Sequence, residues 1–122
     1  MTEPKTVQAL VIQPDGTFEY RTLPTGYPTF VESFLGQGYL ECLYPTSEIV
    51  FWFDEEGGPM FKNLDRNYLA TNLFHALGDL RLQHGDVVCG PVAITGRYRE
   101  EMRDCPPEVT SVFNEVLKGV GL

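Results

Sequence analysis

Ile49-Val50-Phe51-Trp52-Phe53 is the strongest β-strand pattern in this chain of 122 residues. Five consecutive β-branched or aromatic residues favour a strand. The acidic and glycine residues of Asp54-Glu55-Glu56-Gly57-Gly58 then end it in a turn. Upstream, Tyr39 to Tyr44 predicts another strand, with a turn at Pro45-Thr46-Ser47 between the two. The two strands are expected to pair as a hairpin.

A second hairpin is predicted near the N-terminus. Val7 to Ile12 is a nearly continuous apolar run, which is typical of a central strand. Pro14-Asp15-Gly16 supplies turn residues, and Phe18 to Arg21 alternates as a half-exposed strand should. A further strand pattern covers residues 86–95 and is broken at Gly90-Pro91. Because proline cannot donate to a β-ladder, that break is a bulge, an edge or a bend between two strands.

Three segments have helical spacing. A short helix follows Pro28 and ends at Gly36, and another covers Tyr68 to Leu77 behind Asn67. The last helix, about residues 106–118, places five apolar side chains on one face: Val109, Val112, Phe113, Val116 and Leu117. The expected fold class is therefore α+β, a mostly antiparallel sheet of about five to six strands with two short helices and a C-terminal amphipathic helix. One domain over residues 1–122 is expected.

Charge excludes some classes of partner. Seventeen acidic and nine basic side chains give a net charge of −8, which disfavours direct nucleic-acid binding and suits docking on a protein. The apolar runs are far shorter than the roughly 20 residues of a membrane span, and no secretory signal precedes them. We expect a cytoplasmic protein that does not bind membranes.

No catalytic or metal-binding motif is visible. Cys42, Cys89, Cys105, His75 and His84 form none of the close pairs that zinc sites use, so we expect no metal and no cofactor. Cys105 precedes a helix, whose dipole could lower the pKa of the thiol, although an ordinary thiol is the simpler interpretation. The chain is predicted not to be an enzyme.

Three groups of residues are candidates for binding. Arg97, Arg99 and Arg103, with Tyr98 among them, lie in a predicted loop where they could hold an anion and stack a ring. Asn67 and Thr71 lie one helical turn apart and could present polar groups to a ligand, or serve as structural cap residues. The remaining candidates form an interaction surface that comprises Trp52, Asp54, Glu55 and Glu56. The three acids could instead hold a cation or form a solvated turn.

Five segments in this order resemble a family of small domains of unknown function. They are VQALVIQPDG (7–16), GYLECL (38–43), FDEEG (53–57), NYLATN (67–72) and GDVVCGPVAITG (85–96). The resemblance spans about residues 7–96 and leaves the last helix outside. The family is encoded by actinobacterial phages, plasmids and other mobile elements, so the resemblance implies a small accessory protein of such an element. It implies no particular activity.

Two functional hypotheses follow. The first is a non-enzymatic accessory protein that binds and modulates a host or phage protein. The alternative is a binding module, or sponge, that captures a nucleotide or nucleotide-derived signal in counter-defence. The arginine segment would then bind the phosphate, and Tyr98 or Trp52 would stack on the base. A second copy of the chain is also a candidate partner, because Phe51 and Trp52 point to opposite faces of their strand and one face could lack a helix.

Overall fold

The computed structural model describes residues 4–26, 29–36, 38–57, 64–78 and 87–119. Within these ranges the chain forms a six-stranded antiparallel sheet and three α-helices, which confirms the predicted α+β class. The strands are β1 (Thr6–Ile12), β2 (Phe18–Pro24), β3 (Leu40–Thr46), β4 (Ile49–Asp54), β5 (Val92–Tyr98) and β6 (Glu101–Arg103). The helices are α1 (Thr29–Leu35), α2 (Tyr68–Leu77) and α3 (Pro107–Gly119).

The strands lie in the order β2-β1-β5-β4-β3, and β6 pairs with β5 beside this path. Both predicted hairpins, β1 with β2 and β3 with β4, are present. Strand β5 has three neighbours. It pairs with β4 along one edge, while on the other edge β1 pairs with its first half and β6 with its second half. Strand β5 is therefore the strand at which the β1–β2 hairpin, the β3–β4 hairpin and β6 meet.

Successive side chains alternate between the two faces of the sheet. On the face that we call the helix-pair face, α2 and α3 cover large apolar side chains such as Leu10, Phe51 and Ile94. On the opposite face, called the α1 face, Phe30 of α1 packs with Val11. The two faces hold separate buried clusters, because neighbouring residues of a strand cannot point the same way.

Two segments differ from the sequence prediction. Arg97 to Arg103 is not a loop but the β5–β6 hairpin, which turns at Arg99 and Glu100. The three residues of β6 carry no apolar alternation, so pairing with β5 forms this strand and its own pattern does not. In the other segment, β3 continues through Pro45 to Thr46 by a bulge. Proline is tolerated at such an irregularity because no ladder hydrogen bond is required there.

The break at Gly90-Pro91 is a bend before the strand. Gly90 has a φ of 78°, a left-handed conformation that glycine adopts without a steric cost, and β5 begins only at Val92. Ahead of the bend, Cys89 forms a single bridge with Arg66.

Some sequence expectations fall outside the described residues. They are Pro28 as the start of the first helix, Gly58 in the acidic turn, His84, and Asp86 as the first residue of the 86–95 strand. In the part of the chain that the structure describes, no helix combines the length and apolar character needed to cross a membrane.

Asn67 joins α2 to the sheet. Its side chain is fully buried, and its Oδ1 accepts a hydrogen bond from the Ala70 N–H at 3.1 Å, which caps the helix. Its Nδ2 donates to the carbonyl oxygens of Ile12 at 3.0 Å and Gly90 at 2.9 Å. The Asn67 side-chain amide therefore supplies hydrogen bonds to one N–H at the start of α2 and to the carbonyls at the ends of two backbone segments.

We predict that an Asn67→Ala substitution lowers the free energy of unfolding by about 3 kcal/mol, because it removes the cap and leaves two buried carbonyls without a donor. Urea unfolding followed by the fluorescence of Trp52, the one tryptophan of the sequence, measures this loss. Asn67→Asp keeps the cap acceptor but loses both donors, so it should also destabilise strongly. The control is Asn72→Ala on the exposed side of α2, for which a change within about 0.5 kcal/mol is expected. Equal losses for Asn67→Ala and Asn72→Ala would contradict the assignment.

Candidate functional site

A cleft lies on the α1 face of the sheet. Helix α1 places Phe30 and Phe34 over β1 and β2, against Ala9, Val11 and Leu23. The helix has seven residues and so spans about 10 Å at 1.5 Å per residue. Beyond it, between α1, β3, β4 and the β5–β6 hairpin, is a cleft of about 400 Å³. This volume lies within the roughly 300 to 1,000 Å³ of typical small-molecule sites.

The wall of the cleft is mainly aromatic and aliphatic, and its charged residues all come from the β5–β6 hairpin. The lining residues are Thr25, Phe30, Leu40, Tyr44, Val50, Trp52, Gly96, Arg97, Glu100, Glu101 and Met102.

Trp52 forms part of the apolar wall. Its ring centroid lies 5.5 Å from that of Phe30, and its Nε1–H donates to Thr95 Oγ1 at 2.9 Å. The indole is thereby held in position with its polar atom satisfied, so the ring offers an aromatic surface and no free donor. From the sequence, Trp52 was predicted to share an interaction surface with the acidic turn. In the structure it lines the cleft.

Arg97 is the cation of the cleft. Its guanidinium carbon lies 4.8 Å from the centroid of the Tyr44 ring, and its Nε donates to the carbonyl oxygen of Arg99 at 2.7 Å. Stacking and the hydrogen bond both restrict the side chain. No carboxylate of the described residues forms an ion pair with this guanidinium. Its Nη atoms are therefore available to an anion.

Tyr44 is a neutral partner for Arg97. A hydrogen bond with the Cys42 thiol, at 3.4 Å, and then burial raise the pKa of Tyr44, and the positive charge of Arg97 offsets this only in part. The hydroxyl therefore stays protonated at neutral pH. It can hydrogen-bond a ligand, and it is not a general base there.

The carboxylates of the hairpin differ in their pairing. Glu101 forms an ion pair with Arg103, so its charge is largely compensated. Glu100 is exposed in the turn and has no ion-pair partner among the described residues. Among the described residues that line the cleft, one cation, Arg97, and one anion, Glu100, therefore form no ion pair with another described residue.

Tyr98, Arg99 and Arg103 form a separate group, which we call the hairpin cluster; Tyr98 and Arg99 are exposed and Arg103 is half-buried. Tyr98 is 56% exposed, and the guanidinium carbons of Arg99 and Arg103 lie 5.4 and 5.9 Å from its ring centroid. Arg99 has a φ of 57°, which is uncommon for a residue other than glycine. Since Arg97 and Tyr98 are consecutive in β5, they point to opposite faces of the sheet. The predicted arginine segment is thus divided between two surfaces.

Asn67 and Thr71 do not join either surface. Thr71 is 5% exposed, donates through Oγ1 to the Asn67 carbonyl at 2.9 Å and accepts from the Val88 N–H at 2.9 Å. Asn67 hydrogen-bonds the carbonyl of Gly90, just before β5, whereas Arg97 lies near the end of that strand. At 3.3 Å per strand residue, Gly90 and Arg97 are about 20 Å apart. The polar atoms of both side chains are used by the backbone around them.

The acidic residues Asp54, Glu55 and Glu56 form a turn at the end of β4. Asp54 Oδ1 accepts from the Glu56 N–H at 2.8 Å, and the Glu55 N–H donates to the Tyr39 carbonyl at 2.8 Å. Across the described residues, no three side chains of histidine, cysteine, aspartate or glutamate are grouped as a metal site would require.

Cys105 is not an activated nucleophile. Burial raises the pKa of its thiol to about 12, and a hydrogen bond with the Leu10 backbone offsets this only partly. The thiol packs against the core of the helix-pair face. The alternative that the dipole of the last helix lowers this pKa is therefore wrong, because desolvation of the thiolate dominates.

Sequence reasoning found Trp52 and Arg97 but did not place them in one site, and it missed Tyr44, Phe30 and Met102. Tyr44 is positioned by the register of β3 on β4, and Met102 by the pairing of β6 with Arg97. The one local signal for Tyr44 was its alternation with Cys42, which places both side chains on one face of β3. Which face this is becomes clear only when the strand order is known.

Comparison with known proteins gives a family and no further relative. Neither the search of curated proteins nor that of solved structures found a match. A family model described as Domain of unknown function (DUF3846) matches residues 7–118, a range that includes α3. The chain therefore belongs to the DUF3846 family.

Proposed function

We propose that this protein is a non-enzymatic binding protein whose cleft captures a small planar molecule with a negative charge, in the class of a nucleotide or nucleotide-derived signal. The resemblance to domains of phages, plasmids and other mobile elements suggests a setting for this activity. In the cytoplasm of an infected or carrying bacterial cell, capture of such a signal would serve counter-defence.

The observation that carries the proposal is the stacked pair of Arg97 and Tyr44 in the same cleft as Trp52 and Phe30. A guanidinium without an ion pair among the described residues supplies a charge-assisted hydrogen bond to an anion. The partly exposed rings of Trp52 and Tyr44 beside it supply stacking, which is worth about 1 to 3 kcal/mol per base. Together they match the two chemical parts of a nucleotide.

Binding is favoured over catalysis by the protonation states around the cleft. None of its described lining residues is a histidine or cysteine, and the raised pKa of Tyr44 keeps its hydroxyl protonated. A general base near neutral pH would need one of these groups, or a carboxylate whose pKa burial has raised. Of the two lining carboxylates, Glu100 is exposed and Glu101 is paired with Arg103.

A second candidate function is the binding and modulation of a host or phage protein through the hairpin cluster. Tyrosine and arginine are enriched among the residues that dominate protein interfaces, and Tyr98 is exposed with two guanidinium groups beside it. The left-handed backbone of Arg99 is of the strained kind that often marks functional turns. An acidic surface on the partner would complement this cluster.

For the cleft, we predict that nucleoside monophosphates quench the fluorescence of Trp52 and raise the melting temperature of the protein. Arg97→Met keeps the aliphatic stem but removes the charge, and we expect it to weaken binding at least about tenfold in calorimetric titration. The matched control is Arg66→Met. Arg66 is exposed, contacts Tyr68 and lies near the other end of β5, so its loss should leave the affinity unchanged. Unchanged affinity of the Arg97 variant would contradict the proposal.

For the hairpin cluster, we predict that the immobilised protein captures a partner from lysate of the host cell in a saturable manner, and that Arg99→Glu abolishes the capture. The charge reversal removes the attraction to an acidic partner and adds repulsion. Arg66→Glu makes the same change of charge outside the cluster and should retain the partner. Equal loss with both variants would indicate an effect of net charge alone and would contradict the assignment to Arg99.

A further inference from the structure

We infer that the cleft selects planar aromatic ligands that carry a single negative charge and discriminates against polyphosphates. The inference rests on the proposed function and adds to it the charge class of the ligand. The shared chemistry is an aromatic ring system joined to one anionic group, and a cyclic mononucleotide, whose phosphodiester has one charge, is its simplest nucleotide form.

The described lining residues of the cleft supply one positive charge to balance an anion. Arg97 is the one cationic side chain among its described lining residues. Its Nε is already used by the Arg99 carbonyl, so only the two Nη groups remain for the ligand. A terminal phosphate carries roughly −1.5 to −2 charges at pH 7, and each further phosphate adds to that. The additional charge of a polyphosphate would find no second cation here.

The neighbouring arginines do not supply that second cation. Arg99 and Arg103 lie beside Tyr98, which points to the other face of the sheet from Arg97. Arg103 is also paired with Glu101.

The carboxylate of Glu100 disfavours a ligand with more than one negative charge. Its carboxylate is exposed in the turn that lines the cleft, and it forms no ion pair with a described residue. It therefore repels any anionic group that extends past the Arg97 guanidinium, and the net charge of −8 acts in the same direction. Such a repulsive element is a usual source of specificity.

The identity of the base is expected to matter less than the charge. The Trp52 Nε1–H is satisfied by Thr95, and Phe30 has no polar atom. Recognition of the ring by stacking tolerates different bases, because each has an aromatic face. The cleft therefore discriminates by the number of negative charges.

The test is a titration of the full chain with adenosine, adenosine 3′,5′-cyclic monophosphate, adenosine 5′-monophosphate and adenosine triphosphate, followed by Trp52 fluorescence and calorimetry. We expect the cyclic monophosphate to bind most tightly, and the triphosphate at least about tenfold more weakly. Glu100→Gln should narrow this gap by strengthening binding of the triphosphate several-fold. The control Glu108→Gln, an exposed residue at the start of α3, should leave the gap unchanged.

The outcomes separate the inference from the function on which it rests. If the triphosphate binds as tightly as the cyclic monophosphate, the charge selectivity is wrong and the cleft remains a site for an anionic ligand. If neutral adenosine binds equally well, the proposed capture of an anion by Arg97 is wrong as well. If Glu100→Gln and Glu108→Gln change the gap equally, the role of Glu100 is wrong. If none of the four compounds binds, both the inference and the proposed function fail.

Discussion

The alternation of side chains along the central strands is the constraint on which the rest of this structure depends. Strands β4 and β5 are flanked on both edges, and their apolar side chains point to both faces, so each face needs a cover. Phe51 meets Phe74 of α2 at a centroid distance of 5.3 Å, while Trp52 points the other way to Phe30 of α1. Two helices of ten and thirteen residues cover the first face, but α1 has only seven. The cleft lies beside this short helix.

The position of β5 connects the buried polar network with the cleft. Asn67 holds the backbone at Gly90, just before the strand begins, and Arg97 occupies the other end of the strand. The register of β5 decides which side chain faces the cleft. A slip of one residue would turn Arg97 to the helix-pair face and Tyr98 into the cleft. Asn67 does not touch the cleft, but it holds the backbone that leads into the strand that carries Arg97.

Local pattern was sufficient for most elements and insufficient for the site. The hairpins and helices follow from short-range periodicity and turn residues, and these predictions are confirmed. Strand β6 and the bulge at Pro45 were not predicted, because a three-residue strand without apolar alternation and a proline inside a strand give no local strand signal. Arg97 was found because the segment 97–103 gathers three of the nine basic residues of the chain. Tyr44 was not found, because its proximity to Arg97 arises only when β3 and β5 both flank β4. The sequence favours a cap for Asn67 and leaves a ligand contact as the alternative, and burial with its three hydrogen bonds supports the cap.

Arg97 also determines how the two candidate surfaces relate to each other. Its Nε holds the Arg99 carbonyl and so supports the turn that presents the hairpin cluster, while its Nη groups are left for an anion in the cleft. Because different nitrogens serve the two surfaces, occupation of one does not require release of the other. Replacement of Arg97 removes both contacts at once, whereas replacement of the Arg99 side chain leaves its carbonyl in place. The Arg99 side chain is therefore the cleaner point at which to separate partner binding from ligand binding.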